Sequence, residues 1–542
     1  MTRRIYTNSI TPSAEIPNLD LLTLLFDSEH TACHDEHKVV HVDSAAPDNH
    51  VTKSQLRELT QRIAHGIRTL YGIGARGPNR DVVTTITDGQ ILAPAIYFGI
   101  VAAGGVSSAA SPSSTISELV RQFTTTQSQL IICDKEHKNV VCKAAKACEI
   151  PLDRVVVAQS APKWSLVSVK GSKEVLSPQR LEWERITDPK KLDESLITIL
   201  WSSGTTGLPK GVMISHRNLV AETYITAIPM RQWVAEETAK GAANLKLPEN
   251  RALAHLPTSH IAGLFGCMIT PFYNNGTVFW MQKYKWEEFL LNMKRYEITV
   301  LFTMPTIYLR IAKTPEAAAA LTSVAAASAG GSAMAASLQA DASTKFGGIT
   351  IGQTIGVPLP GVEIRVVDDD YRDVEPGQDG ELLIRSPTVT RGYYQNPEAT
   401  KELFHDGWLC TGDIGVVRNE KIYIIDRKKE LLKFKGLQVA PAELENLLVT
   451  HPSVDEAAVI GIPAPDDPSS DLPRAYVVVS DGANLSEEDI MGYVKERAAH
   501  YKQLRGGVVF VDLIPKNAVG KYLRKDLKAR ALRDIARSKS RL

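Results

Sequence analysis

The chain of 542 residues has almost no net charge: 62 Lys and Arg against 61 Asp and Glu leave +1 at neutral pH. That balance argues against nucleic acid or an anionic membrane surface as partner and favours small or locally recognised ones. Cysteine is scarce and scattered, with six residues at 33, 133, 142, 148, 267 and 410. No CxxC pair and no histidine spacing accompanies them, so they read as reduced, mostly structural thiols, and structural zinc is disfavoured. No internal repeat and no true low-complexity segment is present. Long uncharged runs are nearly absent too. The first residues lack the apolar core of a secretory signal, and only Ile91 to Ala110 approaches a membrane span. Pro94, the small residues near its end and the turn "SPSST" make it a buried helix followed by a strand, with no transmembrane segment expected.

What is present is an ordinary globular composition, 44% apolar and 23% charged, on a chain about three to four times the usual domain length. Up to about residue 400, apolar strand-like runs ("DVVTTIT", "QLIICD", "RVVVA", "LITILW", "ITVLFTMP") alternate with helical stretches, which predicts parallel sheets covered by helices. The alanine-rich "PEAAAALTSVAAASAGGSAMAAS" reads as helix-loop-helix. From Gly361 short strands and turns predict a small β subdomain, and after "DRKKELLKFKG" a compact α+β pattern begins, with proline at a helix start in "APAELENLLVTHPSV". The expected fold is therefore α/β, a large N-terminal domain of helix-covered sheets with a β subdomain, then a small mobile α+β domain. The boundaries fall at 1–425, a hinge at 426–430, and 431–542.

Directly after "SLITILW" comes "SSGTTGLPKG", with three glycines, two serines, two threonines and one lysine in ten residues. Such a loop can turn successive N–H groups and hydroxyls toward one point beside a cation, which suits nucleotide phosphates. A Walker loop is excluded, because Lys210 is followed by Gly211 and not by Ser or Thr. A plain surface turn seldom combines these residues.

The surrounding words, "LWSSGTTGLPKGVMISHRNL", "LPTSHIAGLFG", "GWLCTGDIG", "DRKKELLKFKGLQVAPAELE" and "PKNAVGKYLRKDL", resemble in order the signatures of the adenylate-forming superfamily, closest to its acyl-CoA synthetase and 4-coumarate:CoA ligase branch. The resemblance spans nearly the whole chain. It implies an acid-thiol ligase that activates a small aryl or medium-to-long-chain carboxylic acid with ATP and Mg²⁺ to an acyl-adenylate and then forms a thioester with CoA. Ser202, Ser203, Gly204, Thr205, Thr206 and Lys210 would wrap the β and γ phosphates. Asp413 would bind both ribose hydroxyls, supported by Arg427; its bland alternative is a turn residue capping a strand. Lys521 matches the catalytic lysine, although ten Lys or Arg lie between Lys516 and Leu542 and a basic run is ordinarily a solvated helix face. Lys429 falls at the hinge of the mobile domain, Lys433 and Gln438 at adenylation contacts, and Lys435, Gly436 and Lys283 at CoA contacts. His260 matches the catalytic histidine gating the acid pocket, with Ala262 where plant coumarate enzymes carry an aromatic, and Gly330, Gly331 and Gln353 at the pocket.

The pattern breaks once. Gly352-Gln353-Thr354 begins a "GQGYGMTE"-like motif, but Ile355-Gly356-Val357-Pro358 already belongs to the later "GVPLPG" element. A segment on the order of 25 to 30 residues is missing, beyond loop-length variation. With it go the aromatic for adenine, the threonine for the α-phosphate and the glutamate for Mg²⁺, so no metal ligand is assigned. Either part of the gene was skipped or the chain is a non-adenylating binding member of the fold; the intact state of the other motifs favours the first. Luciferase-like oxygenation and carrier-protein loading are further alternatives. Finally, Ser540-Arg541-Leu542 resembles the peroxisomal address SKL, which predicts an import receptor as partner and a peroxisomal location, otherwise a cytoplasmic one.

Overall fold

The computed structural model describes residues 3–8, 15–202, 208–240, 248–330, 336–346, 355–435, 437–465, 467, 470–480, 482–517 and 520–539. The architecture is the expected mixed α/β one, with large sheets in the N-terminal part and a smaller C-terminal unit.

Five strands form the parallel centre of a seven-stranded sheet: Val155–Gln159, Leu130–Asp134, Val82–Ile86, Val106–Ala109 and Leu196–Trp201, in that spatial order. Strands such as "LIICD" are almost continuously apolar because helices cover both faces. Antiparallel strands Ser165–Ser168 and Gly211–Ser215 close its two edges. A six-stranded sheet lies beside it, ordered Ala326–Ala329, Val300–Thr303, Arg251–Ala254, Thr277–Trp280, Val39–Asp43 and His50–Thr52. Helices Lys53–Tyr71 and Ala93–Ala102 belong to the largest buried cluster, which includes residues of both sheets. The second of these helices is buried at every position, which accounts for the uncharged run from Ile91; Val106–Ala109 is the strand that follows it. Among the described residues no helix is long and apolar enough to cross a membrane.

One expectation is corrected. Ala326–Ala329, within the alanine-rich stretch read as helix-loop-helix, is a strand paired in parallel with Val300–Thr303. Alanine's helix preference is worth only tenths of a kcal/mol per residue, and a neighbouring strand overrides it.

The β subdomain is a five-stranded antiparallel sheet containing Glu363–Val367, Gly380–Arg385, Trp408–Arg418 and Lys421–Arg427. Past it, hairpin Leu432–Phe434/Leu437–Val439 leads into helix Pro441–Val449 and a three-stranded sheet of Val454–Pro463, Asp471–Val479 and Val508–Phe510. Helices Glu487–Arg497 and Arg524–Lys539 complete this unit. All six cysteines are free thiols.

Candidate active site

The strands on either side of the glycine-rich loop pair as an edge hairpin. Trp201 pairs with Gly211, the Ser202 N–H donates to the Lys210 carbonyl (2.9 Å), and the Lys210 N–H donates to Ser202 Oγ (3.2 Å). These bonds tie the loop base shut and fix where its ends emerge. Lys210 Nζ lies 4.9 Å from the Tyr393 ring centroid, a cation held over a π face. Ser203, Gly204, Thr205 and Thr206 fall outside the described residues, as do Gly331, Gln353, Gly436 and the tripeptide 540–542.

Asp413 is not a turn residue. It sits inside the long strand Trp408–Arg418, directly opposite Arg427 on the neighbouring strand, and its Oδ1 is 3.3 Å from Arg427 Nε. Antiparallel register alone therefore pairs two residues that are far apart in sequence. Burial raises the Asp413 pKa above the usual carboxylate range, and Arg427 and Lys521 oppose that rise.

The next residues carry the chain into the C-terminal unit, and each has a definite partner. Asp426, almost fully buried, accepts from its neighbour's N–H at Arg427 (2.7 Å) and from Ala442 N–H (3.0 Å) in the first turn of helix Pro441–Val449. That helix begins after Ala440, which has no capping side chain, so Asp426 supplies the cap from outside it. Lys428 pairs with Glu381 Oε2 (2.9 Å) and Asp369 Oδ1 (2.8 Å), both on the β subdomain side. Glu430 pairs instead with Arg524, which also forks onto Glu445 at 2.6 and 3.1 Å. Attachment thus switches from one unit to the other between residues 428 and 430, with Lys429 exposed between them.

Lys521 comes into this crevice from a tight turn. Its N–H donates to Asn517 Oδ1 (2.9 Å), and the Asn517 N–H donates back to the Lys521 carbonyl (2.9 Å). Gly520 precedes it at φ +78°, and a Cβ there would stand 2.9 Å from Thr306 Oγ1 of the N-terminal part. Only glycine combines that left-handed backbone with so close an approach. Burial lowers the lysine's pKa, Arg427 lowers it further, and Glu430 and Asp413 work the other way. On the opposite wall, the His260 pKa is lowered by burial and then by Lys521. His260 Nδ1 accepts from the Ala262 N–H (3.2 Å), so in the neutral ring the proton sits on Nε2. The structure therefore brings Lys521, Asp413, Arg427 and His260 to one place.

The remaining assignments are more dispersed. Lys433 and Gln438 face each other across the 432–439 hairpin and are exposed; the Asp369 pKa is lowered by its bond to Lys428 and, to a smaller extent, by Lys433. Lys435 has φ +46° and donates its N–H to Ser470 Oγ (3.0 Å). Lys283 is 3.5 Å from Asp88 Oδ2, an ion pair at the outer limit of hydrogen-bonding distance. Asp88 also lies near Asp134 and His137, the one group of metal-type ligand atoms among the described residues, spaced within 4.8 Å of one another. His137 and Asp134 are already bonded to each other at 2.7 Å. Sequence reading missed Asp426, Lys428, Glu430, Glu445 and Arg524. Arg524 is hidden in a basic run, and its two glutamate partners are far away in sequence, so no local signal marks them.

Comparison with known proteins gives the family. The AMP-binding enzyme family model matches residues 28–354 and 351–394, and the AMP-binding enzyme C-terminal domain matches residues 443–521. The chain belongs to the AMP-binding, adenylate-forming enzyme family. Its homologues are acyl-CoA synthetases and 4-coumarate–CoA ligase-like proteins. An Emericella nidulans protein classed with the acyl-coenzyme A synthetases is 43% identical over 550 residues, with 97% of each chain covered. The 4-coumarate–CoA ligase 4 of Arabidopsis thaliana is 31% identical, covering 89% of this chain and 86% of its own length. Among solved structures, ATP-bound MatB from Rhodopseudomonas palustris superposes with a TM-score of 0.78 at 25% identity, covering 94% of this chain and 98% of its own.

The resemblance implies Mg²⁺, and the donor set can be tested for it. Among the described carboxylates beside Lys521, Asp413 is held by Arg427, Glu430 by Arg524, and Asp426 by two N–H groups. From Ala342 to Val362 the sequence has no Asp or Glu at all. A hard cation wants one or two available carboxylates, and these residues do not fit a protein-held ion.

Proposed function

We propose that the chain is an ATP-dependent acid:CoA ligase acting on a small carboxylic acid. The observation that carries this reading is the convergence of Lys521 on Asp413, Arg427 and His260 across the junction of the two units. The acid's carboxylate oxygen would attack the α-phosphate and expel pyrophosphate; the CoA sulfur would then attack the acyl carbon and expel AMP. A cation between a ribose-binding carboxylate and an apolar acid pocket suits the charge that develops in the first step. Ser202 and Lys210 frame the loop for the departing phosphates, and any Mg²⁺ would enter on ATP itself. The change of attachment at Lys428 and Glu430 supports a hinge at 426–430 about Lys429, with domains at 1–425 and 431–542. Rotation there would withdraw Lys521 and move the hairpin bearing Lys433, Lys435 and Gln438, as the second step requires. CoA-ligase names among the relatives support the thiol acceptor.

A second reading, a member of the fold that binds but does not adenylate, is favoured by one observation. The family match divides at residues 351–354, where the Thr-Glu motif is missing and no acidic residue stands in for it. The test is pyrophosphate release by the purified full chain with ATP, Mg²⁺, CoA and a panel of aryl and aliphatic acids. Acid-dependent release upholds the ligase. A folded protein that releases none, and gains activity when a family-like segment is inserted after Thr354, upholds the second reading.

A further inference from the structure

We infer that Lys313 is a positioning residue for the adenylation step: it locks the C-terminal unit in the seat that holds Lys521 in the crevice, and it lets go when the thioester forms. The inference rests on the ligase reading for the reaction it serves. Helix Pro305–Lys313 leaves the end of strand Val300–Thr303, and its Tyr308 and Ile311 belong to a buried cluster of the N-terminal part. Tyr308 Oη donates to the Ser328 carbonyl (2.9 Å), which ties the helix to the neighbouring strand. The helix is therefore a fixed bar, and the C-terminal unit meets it at both ends. Thr306 stands against Gly520, beside Lys521. Lys313, the last helical residue, donates from Nζ to the Val454 carbonyl and forms an ion pair with Asp455 Oδ1 at 3.6 Å. Thr306 and Lys313 lie two turns apart on one face of the helix, about 10 Å along its axis.

The receiving side is rigid and leads directly to the lysine. Val454 is buried in the core of the C-terminal unit, and Asp455 follows it where strand Val454–Pro463 shifts register against Asp471–Val479. Such irregularities re-aim a side chain. Asp455 Oδ1 also accepts from Ser480 Oγ (2.7 Å), so the carboxylate is held where Lys313 reaches it. The next residue, Glu456, accepts from Lys516 Nζ through Oε1 (2.6 Å), and Lys516 bridges to Tyr522, the residue after Lys521. A shift at Lys313 thus reaches Lys521 through one strand and a chain of bonded pairs. Lys313 and Asp455 are both half-exposed, and an ion pair of that kind adds little to stability and opens readily. It can still set the rate, because a misplacement of about 1 Å at a reacting group can cost about 100-fold. Rotation about Lys429 would part the two residues, so the second step has no use for them.

The test measures the two steps separately in wild type, Lys313→Met, Lys313→Arg and Asp455→Asn. Pyrophosphate release with acid and ATP reads the first step; thioester formation from CoA and a synthetic acyl-adenylate of the same acid reads the second. Lys313→Met should slow the first by about 10- to 100-fold and leave the second unchanged. Lys313→Arg should recover part of the loss, because its cation still reaches Asp455. Asp455→Asn should show the same split at smaller size, because the Val454 carbonyl remains. Arg310→Met removes a cation of the same helix that lies over Trp286 of the N-terminal part, and should alter neither step. A fall as large in the second step as in the first, or no fall in the first, overturns the proposal. If wild type lacks either step, the ligase reading fails by itself, and amide hydrogen exchange decides the latch. Faster exchange in Lys313→Met at Gly520, Lys521 and Leu523, whose N–H groups are bonded within the turn, with helix Lys53–Tyr71 unchanged, upholds it; unchanged exchange at those three overturns it.

Discussion

The two walls that meet at Lys521 are built in opposite ways. One is a ribbon of fixed ion pairs, Asp413 with Arg427, Lys428 with Glu381 and Asp369, and Glu430 and Glu445 with Arg524. The other is apolar and small-sided, His260 followed by Ala262 and Gly266, with Phe302 behind them. Charge pairs hold a single geometry and come apart as units, which suits a junction between two domains. Apolar packing is graded in size, which suits the lining of an acid pocket.

The largest expected break in this contrast is on the charged side. Arg524→Ala leaves Glu430 and Glu445 without their shared partner, and should lower unfolding stability by about 3 kcal/mol, the low end for a broken buried pair because a quarter of Arg524 is exposed. Urea unfolding of the full chain measures it, and a loss below about 1 kcal/mol would put the trio among ordinary surface pairs.

Lys521→Ala tests whether charge at the crevice acts in the reaction. Acid-dependent pyrophosphate release should fall by about 100- to 1,000-fold, as for loss of a transition-state donor, while the unfolding midpoint stays within a degree or two. A comparable fall in stability would assign the residue to packing.

The buried histidines of the N-terminal part, His260 of the apolar wall among them, predict acid sensitivity. Burial pulls His41 down to about 3 and His255 to about 4, and lowers His260 as well. These folded-state values lie below the unfolded value near 6.5, so the unfolded chain takes up protons first. Their contribution is complete above that value and is lost as pH falls from about 6.5 toward 4, at about 1.4 kcal/mol per pH unit for each fully titrating histidine. Unfolding midpoints between pH 4.5 and 8 should show the decline, and it should be shallower in His255→Gln.

The smallest effect belongs to the proposed hinge. Lys428→Met frees Glu381, whose side chain is 8% exposed, and should cost about 1 to 2 kcal/mol. Limited proteolysis should then cut faster between residues 426 and 430; an unchanged cutting rate would remove Lys428 from the attachment of the two units.

Much of the charged wall is legible in the amino-acid order. Asp413, Arg427 and Lys521 stand in short motifs whose residue types have few other uses in that order, and most of the parallel strands are equally plain, because they are rich in β-branched and apolar residues between helical stretches. Lys428, Glu430, Glu445 and Arg524 are not legible there, because an ion pair joins residues of ordinary type across long stretches of chain. Alanine misleads at Ala326–Ala329, where its intrinsic preference yields to strand pairing.

The sequence by itself determined the family, the α/β class, the order of its motifs and the acidic gap after Thr354, since each is carried by residue type and spacing along the chain. Only the tertiary structure decided that Asp426 caps a helix of the next unit, that attachment changes hands between Lys428 and Glu430, and that helix Pro305–Lys313 meets the C-terminal unit at both Thr306 and Lys313. Those facts depend on register and on contact between distant segments, and local chemistry does not encode either one residue at a time.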